Sequence, residues 1–540
     1  ANLLQATTGG FPLYIVEAAR GGADHGGAHP AGDLRAVLRN RLDQVTPPAR
    51  EVAGLAAAVG RNFTLDLLTE ASDLDADAVV HAIDELWRHR ILREIGDGYD
   101  FSHDLLRETA YAQVSPPKRW LLHRRIAQGL ELVHAEDPDV ISAQLAEQYA
   151  RGGRGERAVS YYRRAADVAS QRFAHVEAIR LHKEALSIVR TLPAGRERDG
   201  KELALLEALA APLNARFGYA STQLFDTLSR SITLAESLGR RDSLLSALVG
   251  LWGSQFVQGY ALDAHRTAAR ALSLVEPGSE FSGAAHFALG GSSVSLGRPA
   301  EGIRLLDLAA EQGGTQSLSI GTRADVHGLA FAAHAHWLMG HDRDALANCT
   351  EAIRLARTTD TPYNVAIALA YGSITHQLGG DVAATRETVG ELRELCDRYD
   401  FAYYREWALV LDGWTRTDGS GFELARRGVD NLVAQGSFAR LPYWLSVLAE
   451  LAHRAGRPDV ARARLDAALA AATARDDVWW LPEVMRLRAG YDEDEAAVAR
   501  LESAAKLAAT QGSVALFEQC SKDLAGYGVR RTVLGVRTTS

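Results

Sequence analysis

The chain has 540 residues, a formal net charge of −9, three Cys, and 47% hydrophobic against 24% charged residues. That arithmetic gives several domains with ample core, and it excludes a disordered chain, a collagen-like chain and a disulfide scaffold. Cys349, Cys396 and Cys520 are few and far apart, which suits a reducing cytoplasm, and no run approaches the roughly 18 apolar residues of a membrane span. The chain opens on Ala1-Asn-Leu-Leu, which reads as the middle of a helix and so as an internal stretch of a larger protein.

Residues 1–20 have helical character around a Gly9-Gly10-Phe11-Pro12 break. Residues 21–33 are rich in Gly, Ala and His without periodicity, the signature of a flexible linker. From Pro47 the elements shorten. Three helices are expected over 48–58, 65–71 and 75–88, then a strand at 91–95, a tight turn at Gly96-Asp97-Gly98 and a partner strand at 99–101. Three helices followed by a hairpin is the order of a winged helix-turn-helix. Two further helices follow, over 104–114 and 118–133, the second opened by Ser115-Pro116-Pro117.

From residue 141 to about 526 the pattern is helical and repetitive. Leu145, Ala146, Tyr149, Gly153, Ala158, Tyr162 and Ala165 fit the tetratricopeptide pattern: small residues where antiparallel helices approach, a Gly at the turn, aromatics between. The turn signal recurs at Gly259, Gly297, Gly340, Gly379, Ser420 and Gly456, spaced 38, 43, 39, 41 and 36 residues apart. These exceed the usual repeat of about 34 residues, so each helix pair gains roughly a turn. The fold class is therefore mainly α: a winged-helix domain at 47–135, a long TPR-like α-solenoid at 136–527 and a tail at 528–540.

Two apparent chemical motifs read better as structure. Gly195-Arg-Glu-Arg-Asp-Gly200-Lys201-Glu202 approaches a phosphate-binding loop, but Glu202 stands where a Ser or Thr must hold Mg²⁺. A charged interhelical loop is expected there. His327, His334, His336 and His341 lack a metal-binding helix spacing, so no metal site is assigned. The presumptive recognition helix carries Asp75, Asp77, Asp84 and Glu85, which phosphates would repel, so it is not expected to read DNA. Basic residues come later, and Arg107, Arg119 and Arg124 are candidates for a phosphate or interdomain contact. Trp252, Trp337, Tyr403, Tyr404, Trp407, Tyr443 and Trp444 are candidates for the inner groove of the solenoid.

Several segments together resemble the C-terminal part of bacterial STAND regulators, signal-transduction ATPases with a nucleotide-binding core, a winged helix and a tetratricopeptide sensor. They are Ala6–Arg20 (ATTGGFPLYIVEAAR), Ile83–Leu92, Phe101–Tyr111 (FSHDLLRETAY), Ser115–Ala127 (SPPKRWLLHRRIA) and Trp479–Arg488. The resemblance is to the Streptomyces antibiotic regulatory protein (BTAD) or MalT-like/LuxR-type kind. It implies that 1–46 is a lid remnant, that Pro12 packs on adenine, and that His103, supported by Asp104, contacts the β-phosphate of ADP. It further implies ATP or ADP with Mg in the full-length parent, no cofactor and no catalytic residue in this chain, and a solenoid taking a small-molecule, peptide or protein partner. DNA would be met only through an effector outside the chain. The other readings are a sensor linked to a class III adenylate cyclase and a nucleotide-free scaffold.

Overall fold

The computed structural model describes residues 34–312, 318, 320–359, 361–417 and 419–527. Pro12, the linker expected at 21–33 and the tail at 528–540 lie outside the described residues. The described residues form 26 helices and one two-stranded sheet, divided between two compact units: 34–171 with 183–192, and 172–182 with 193–527. No described helix is long and apolar enough to cross a membrane.

In the first unit, polar caps start the helices. After α1 (Leu34–Asp43), Thr46 accepts the Ala49 N–H to open α2 (Pro47–Val59), and Thr64 caps α3 (Leu65–Ala71). Asp75 accepts from Ala78 at 2.8 Å to open α4 (Ala76–Arg88). The hairpin is β1 (Leu92–Ile95) and β2 (Gly98–Phe101), paired antiparallel with Leu92 opposite Phe101. Its two-residue turn puts Gly96 at φ +55°, the left-handed first position that a type II′ turn gives to glycine. Phe63, between α2 and α3, adds a bridge: it exchanges backbone hydrogen bonds with Tyr99 at 3.0 and 2.8 Å. This approach needs Gly98, since a Cβ there would lie 2.8 Å from the Phe63 carbonyl oxygen.

Next come α5 (Asp104–Gln113), α6 (Pro116–Val133), α7 (Ser142–Arg151) and α8 (Gly155–Gln171). A buried polar chain ties three of them to α2. Tyr111 Oη lies 2.7 Å from His123 Nε2, His123 Nδ1 lies 2.7 Å from Gln148 Oε1, and Gln148 Nε2 donates to the Ala58 carbonyl at 3.2 Å. Burial and two nearby arginines hold the His123 ring below its ordinary pKa.

After α9 (His175–Val189), the second unit is a TPR-like solenoid. It begins with α10 (Arg196–Phe217) and α11 (Thr222–Leu238), and continues as alternating inner and outer helices. The inner helices are α12 (Arg241–Val257), α14 (Ser282–Ser295), α16 (Ala324–Leu338), α18 (Pro362–Leu378), α20 (Ala402–Trp414), α22 (Leu441–Arg454), α24 (Leu481–Ala489) and α26 (Val514–Gly526). Between them lie α13 (Ala261–Ser273), α15 (Pro299–Gln312), α17 (Asp342–Arg357), α19 (Val382–Tyr399), α21 (Gly421–Ala434), α23 (Pro458–Arg475) and α25 (Asp494–Gln511). Each inner helix packs on its outer partner and also on the next inner helix, so the inner row is continuous.

Two sequence expectations shift here. The turn residues with φ near +75° are Gly259, Gly297, Gly340, Gly380, Gly419 and Gly456. At two turns the left-handed position is therefore Gly380, not Gly379, and Gly419, not Ser420. The P-loop look-alike is not a loop: residues 196–202 form the first two turns of α10, with Glu197 and Asp199 at its positive end and Lys201 paired to Glu197 at 2.8 Å. Glu202 is buried against Arg230 at 2.9 Å.

The solenoid is wound tightly enough to bond to itself. The N–H groups of Phe438 and Ala439 donate to the Val257 carbonyl at 2.7 and 3.0 Å, and those of Val478 and Trp479 to the Ser295 carbonyl at 2.9 and 3.2 Å. Ser513 Oγ donates to the Leu338 carbonyl at 3.3 Å. Each tie joins the end of one inner helix to the start of the inner helix five repeats later: α12 to α22, α14 to α24, α16 to α26.

Candidate functional site

Winding the inner row this tightly brings its aromatic residues together along the axis. Trp252, Trp337, Tyr403, Trp407 and Trp444, the expected groove residues, are all buried, with exposures of 8% or less. Tyr404 and Tyr443 are buried as well. They belong to one run of ring contacts: Trp252–Phe287 at 4.9 Å, Phe287–His327 at 4.5 Å, His327–Tyr371 at 5.2 Å, Tyr371–Trp407 at 5.3 Å and Trp407–Trp444 at 5.1 Å. Trp337 joins through Trp480 at 5.9 Å.

Into this run projects a residue that sequence reading missed. Arg440 is 2% exposed, and its guanidinium carbon lies 4.6 Å from the Phe331 ring centre, 5.2 Å from those of Tyr371 and Trp479, and 5.9 Å from that of Trp407. Those rings come from α16, α18, α20 and the lead into α24. Arg440 caps α22 at φ +59°, a left-handed conformation that costs a non-glycine residue free energy. Its main-chain N–H donates to Asp477 Oδ2 at 2.8 Å. The side chain fares differently: Nε and Nη2 have no hydrogen-bond partner among the described residues. The available signal was positional, an Arg set between Ser437-Phe438-Ala439 and Leu441-Pro442-Tyr443-Trp444 where every neighbour is apolar or small.

The surroundings are rich in donors. The indole N–H groups of Trp444 and Trp479 are buried without acceptors, and both ring nitrogens of His327 are unpartnered. Burial, and then the Arg440 charge, drive His327 down to about 3, so its ring is neutral. His334 is also pushed well below its ordinary value by burial; its Nε2 donates to the Tyr371 carbonyl at 2.9 Å. Burial raises the Asp477 carboxyl to about 6 against the pull of Arg440. A fixed cation, neutral imidazoles and free N–H groups make a site for an oxygen-bearing anion.

The other two histidines lie elsewhere. His336, His341 and Asp344 bring their ligand atoms within 4.8 Å of one another where α16 turns into α17, with His341 and Asp344 exposed.

In the first unit, His103 is half-buried where the hairpin meets α5. Its Nδ1 accepts the Leu105 N–H at 3.2 Å, which leaves the proton on Nε2. Asp104 pairs with Arg61 and, at 3.5 Å, with Arg107. Arg119 donates to the Ala112 carbonyl at 3.1 Å and lies over the Tyr111 ring at 4.7 Å, while Arg124 Nε donates to the Gly152 carbonyl at 2.5 Å. Arg119 and Arg124 thus bind helix ends, whereas the Nε atoms of Arg107 and Arg119 are buried without partners. A cleft of about 500 Å³ between α6 and α8 holds Glu131, Arg157, Tyr161 and Arg164. These four are already engaged: Tyr161 donates to Glu131 at 2.6 Å, Arg157 to Tyr149 Oη at 2.7 Å, and Arg164 pairs with Asp139.

No known family profile matches the chain. The chain is similar to protein R02095 of Rhizobium meliloti (strain 1021), with 25% identity over 98% of this chain; it spans 55% of that relative's length. Among solved structures it is similar to a STAND protein with a tetratricopeptide repeat sensor from Pyrococcus horikoshii, with 11% identity, 91% of this chain and 71% of that one covered, and a TM-score of 0.45. It is also similar to a Rap protein complexed with competence and sporulation factor, with 14% identity, 69% and 98% covered, and a TM-score of 0.42.

Proposed function

We propose that this chain is the regulatory, ligand-sensing portion of an ATP-dependent signal-transduction transcriptional regulator. The solenoid takes an inducer or partner, and the helix–hairpin module, read as a winged helix, couples that event to a nucleotide-binding core outside these 540 residues. One observation carries the reading. The helix that would enter DNA in a winged-helix reader, α4, instead exposes Val80 and Trp87, seven residues apart on one face, at 46% and 51%. Asp77 and Asp84 flank them. An acidic, apolar face suits contact with another protein domain and opposes phosphate. His103 supports the coupling role, because its capped Nδ1 fixes Nε2 as a donor able to meet a phosphate oxygen. On this reading the chain is not itself an enzyme, ATP or ADP with Mg belongs to the parent, and the compartment is the cytoplasm.

The test is His103→Ala in the intact regulator. It should weaken ADP retention and raise basal output, because a contact that holds the closed state is lost. Unchanged retention together with unchanged output would sink the role of His103. Tight, salt-sensitive binding of this chain to duplex DNA would overturn the reading of α4.

A further inference from the structure

The candidate worth most is the guanidinium of Arg440. A buried charge is ordinarily paired, because an unpaired one is costly to keep out of water. Arg440 has no carboxylate within ion-pairing distance among the described residues, and the one nearby acid, Asp477, spends Oδ2 on the Arg440 main chain. The two unpartnered nitrogens are Nε and Nη2. Their N–H groups lie on the same side of the planar guanidinium and form the side-on edge that accepts both oxygens of a carboxylate. Four aromatic rings lie around the guanidinium, and both nitrogens of that edge are buried.

We propose that the interior of the solenoid binds a small carboxylic acid with a flat apolar body, its carboxylate on the Nε/Nη2 edge of Arg440 and its body among Phe331, Tyr371, Trp407 and Trp479. This rests on the reading of the solenoid as a ligand sensor. One cation matches a monoanion better than a phosphate dianion, whose second charge would be desolvated without a partner. The free indole N–H groups of Trp444 and Trp479 and the neutral His327 supply further donors to oxygen.

The position also explains how binding is felt. The edge is enclosed, so an acid must part the rings to reach it. Trp479 is one of those rings, and its main-chain N–H is half of the tie to Ser295. Phe438 and Ala439, immediately before Arg440, make the tie to Val257. Ligand entry therefore bears directly on the bonds between successive turns of the solenoid.

The experiment is titration of the purified chain with indole-3-acetate and 2-naphthoate, each beside its neutral amide, followed by calorimetry and tryptophan fluorescence. The acids should bind and raise the melting temperature, and the amides should bind about 10- to 100-fold more weakly. Arg440→Met should abolish the preference for acid over amide, while its own ligand-free melting temperature stays equal to or above that of the parent, which separates lost binding from lost folding. Equal binding of acid and amide, an acid preference that survives Arg440→Met, or no binding of either acid up to millimolar concentration would overturn the proposal. Preference for a short peptide with a free aromatic C-terminus over both acids would overturn the small-molecule assignment. The sensor reading fails separately, through nucleotide retention in the His103→Ala regulator, which does not depend on the acid.

Discussion

Asp477 Oδ2, on the lead into α24, accepts the main-chain N–H of Arg440, the cap of α22, at 2.8 Å, so the start of one inner helix braces the start of the inner helix before it. That bond holds Arg440 in its left-handed conformation, with the guanidinium turned into the aromatic interior. Asp477→Ala should destabilise the protein by about 1–3 kcal/mol, the cost of a buried N–H left without an acceptor. Asp477→Asn keeps an acceptor oxygen and should cost less. Chemical denaturation of both variants measures the difference; equal losses would mean that the carboxylate charge, not the acceptor, matters.

The polar chain in the first unit makes a second prediction. Gln148→Leu removes the partner of His123 Nδ1 and the donor to the Ala58 carbonyl together, leaving two buried groups unsatisfied. A loss of about 1–3 kcal/mol per group is expected. Tyr111→Phe, which removes only one end of the chain, should cost about 1 kcal/mol. A Gln148→Leu protein as stable as the parent would show that ordered water already serves these groups.

Acid should weaken the protein well before its surface carboxylates titrate. Burial depresses His182 from 6.5 to about 4, and His327 to about 3. The unfolded chain therefore takes up protons first, and the stability from the neutral rings is complete above pH 6.5 and declines as pH falls toward 4. Asp477 works in the opposite sense: its folded pKa is raised to about 6, so its contribution is complete at low pH and is lost as pH rises through that value. The melting temperature should fall between pH 6.5 and 4, and more steeply in Asp477→Asn, where the offset is gone. A flat profile in that window would contradict the neutral histidines.

Gly98→Ala tests the bridge between Phe63 and the hairpin. The new Cβ would lie 2.8 Å from the Phe63 oxygen, so the bridge must open, at a cost of about 1–3 kcal/mol. Faster amide exchange at Phe63 and Tyr99, with the solenoid unaffected, is the expected signature.

The repeat architecture was legible because its causes are local. Turn glycines and small residues at helix crossings recur at a nearly constant spacing, and each marks its own turn even where the left-handed residue proved to be the neighbour, as at Gly380 and Gly419. The hairpin was legible for the same reason, with Gly96 and Gly98 bracketing it. The interior was not. Whether Trp407 or Trp444 faces a groove or a packed axis depends on how tightly the solenoid winds, and that is set by contacts between residues far apart in sequence, such as Val257 with Phe438 and Leu338 with Ser513, 175 positions on. Arg440 is hidden for a related reason: in sequence it is one of many arginines, and only the winding that surrounds it with rings from three inner helices and the lead into a fourth makes it exceptional. The look-alike at Gly195–Glu202 misled in the opposite way, since acidic residues that spoil a phosphate loop also make a good helix start.

The ties from Val257, Ser295 and Leu338 to partners five repeats onward have a bearing on how such a chain can change over generations. An open array of repeats can gain or lose a unit anywhere, because each unit answers only to its neighbours. Here, excising the pair α18–α19 or α20–α21, which lie inside the span of all three ties, would bring each tie one repeat out of step, setting Phe438, Trp479 and Ser513 against the wrong carbonyls at once. Length is consequently quantised within the turn, and natural variation in repeat number should collect at the two ends of the solenoid while the middle keeps its count.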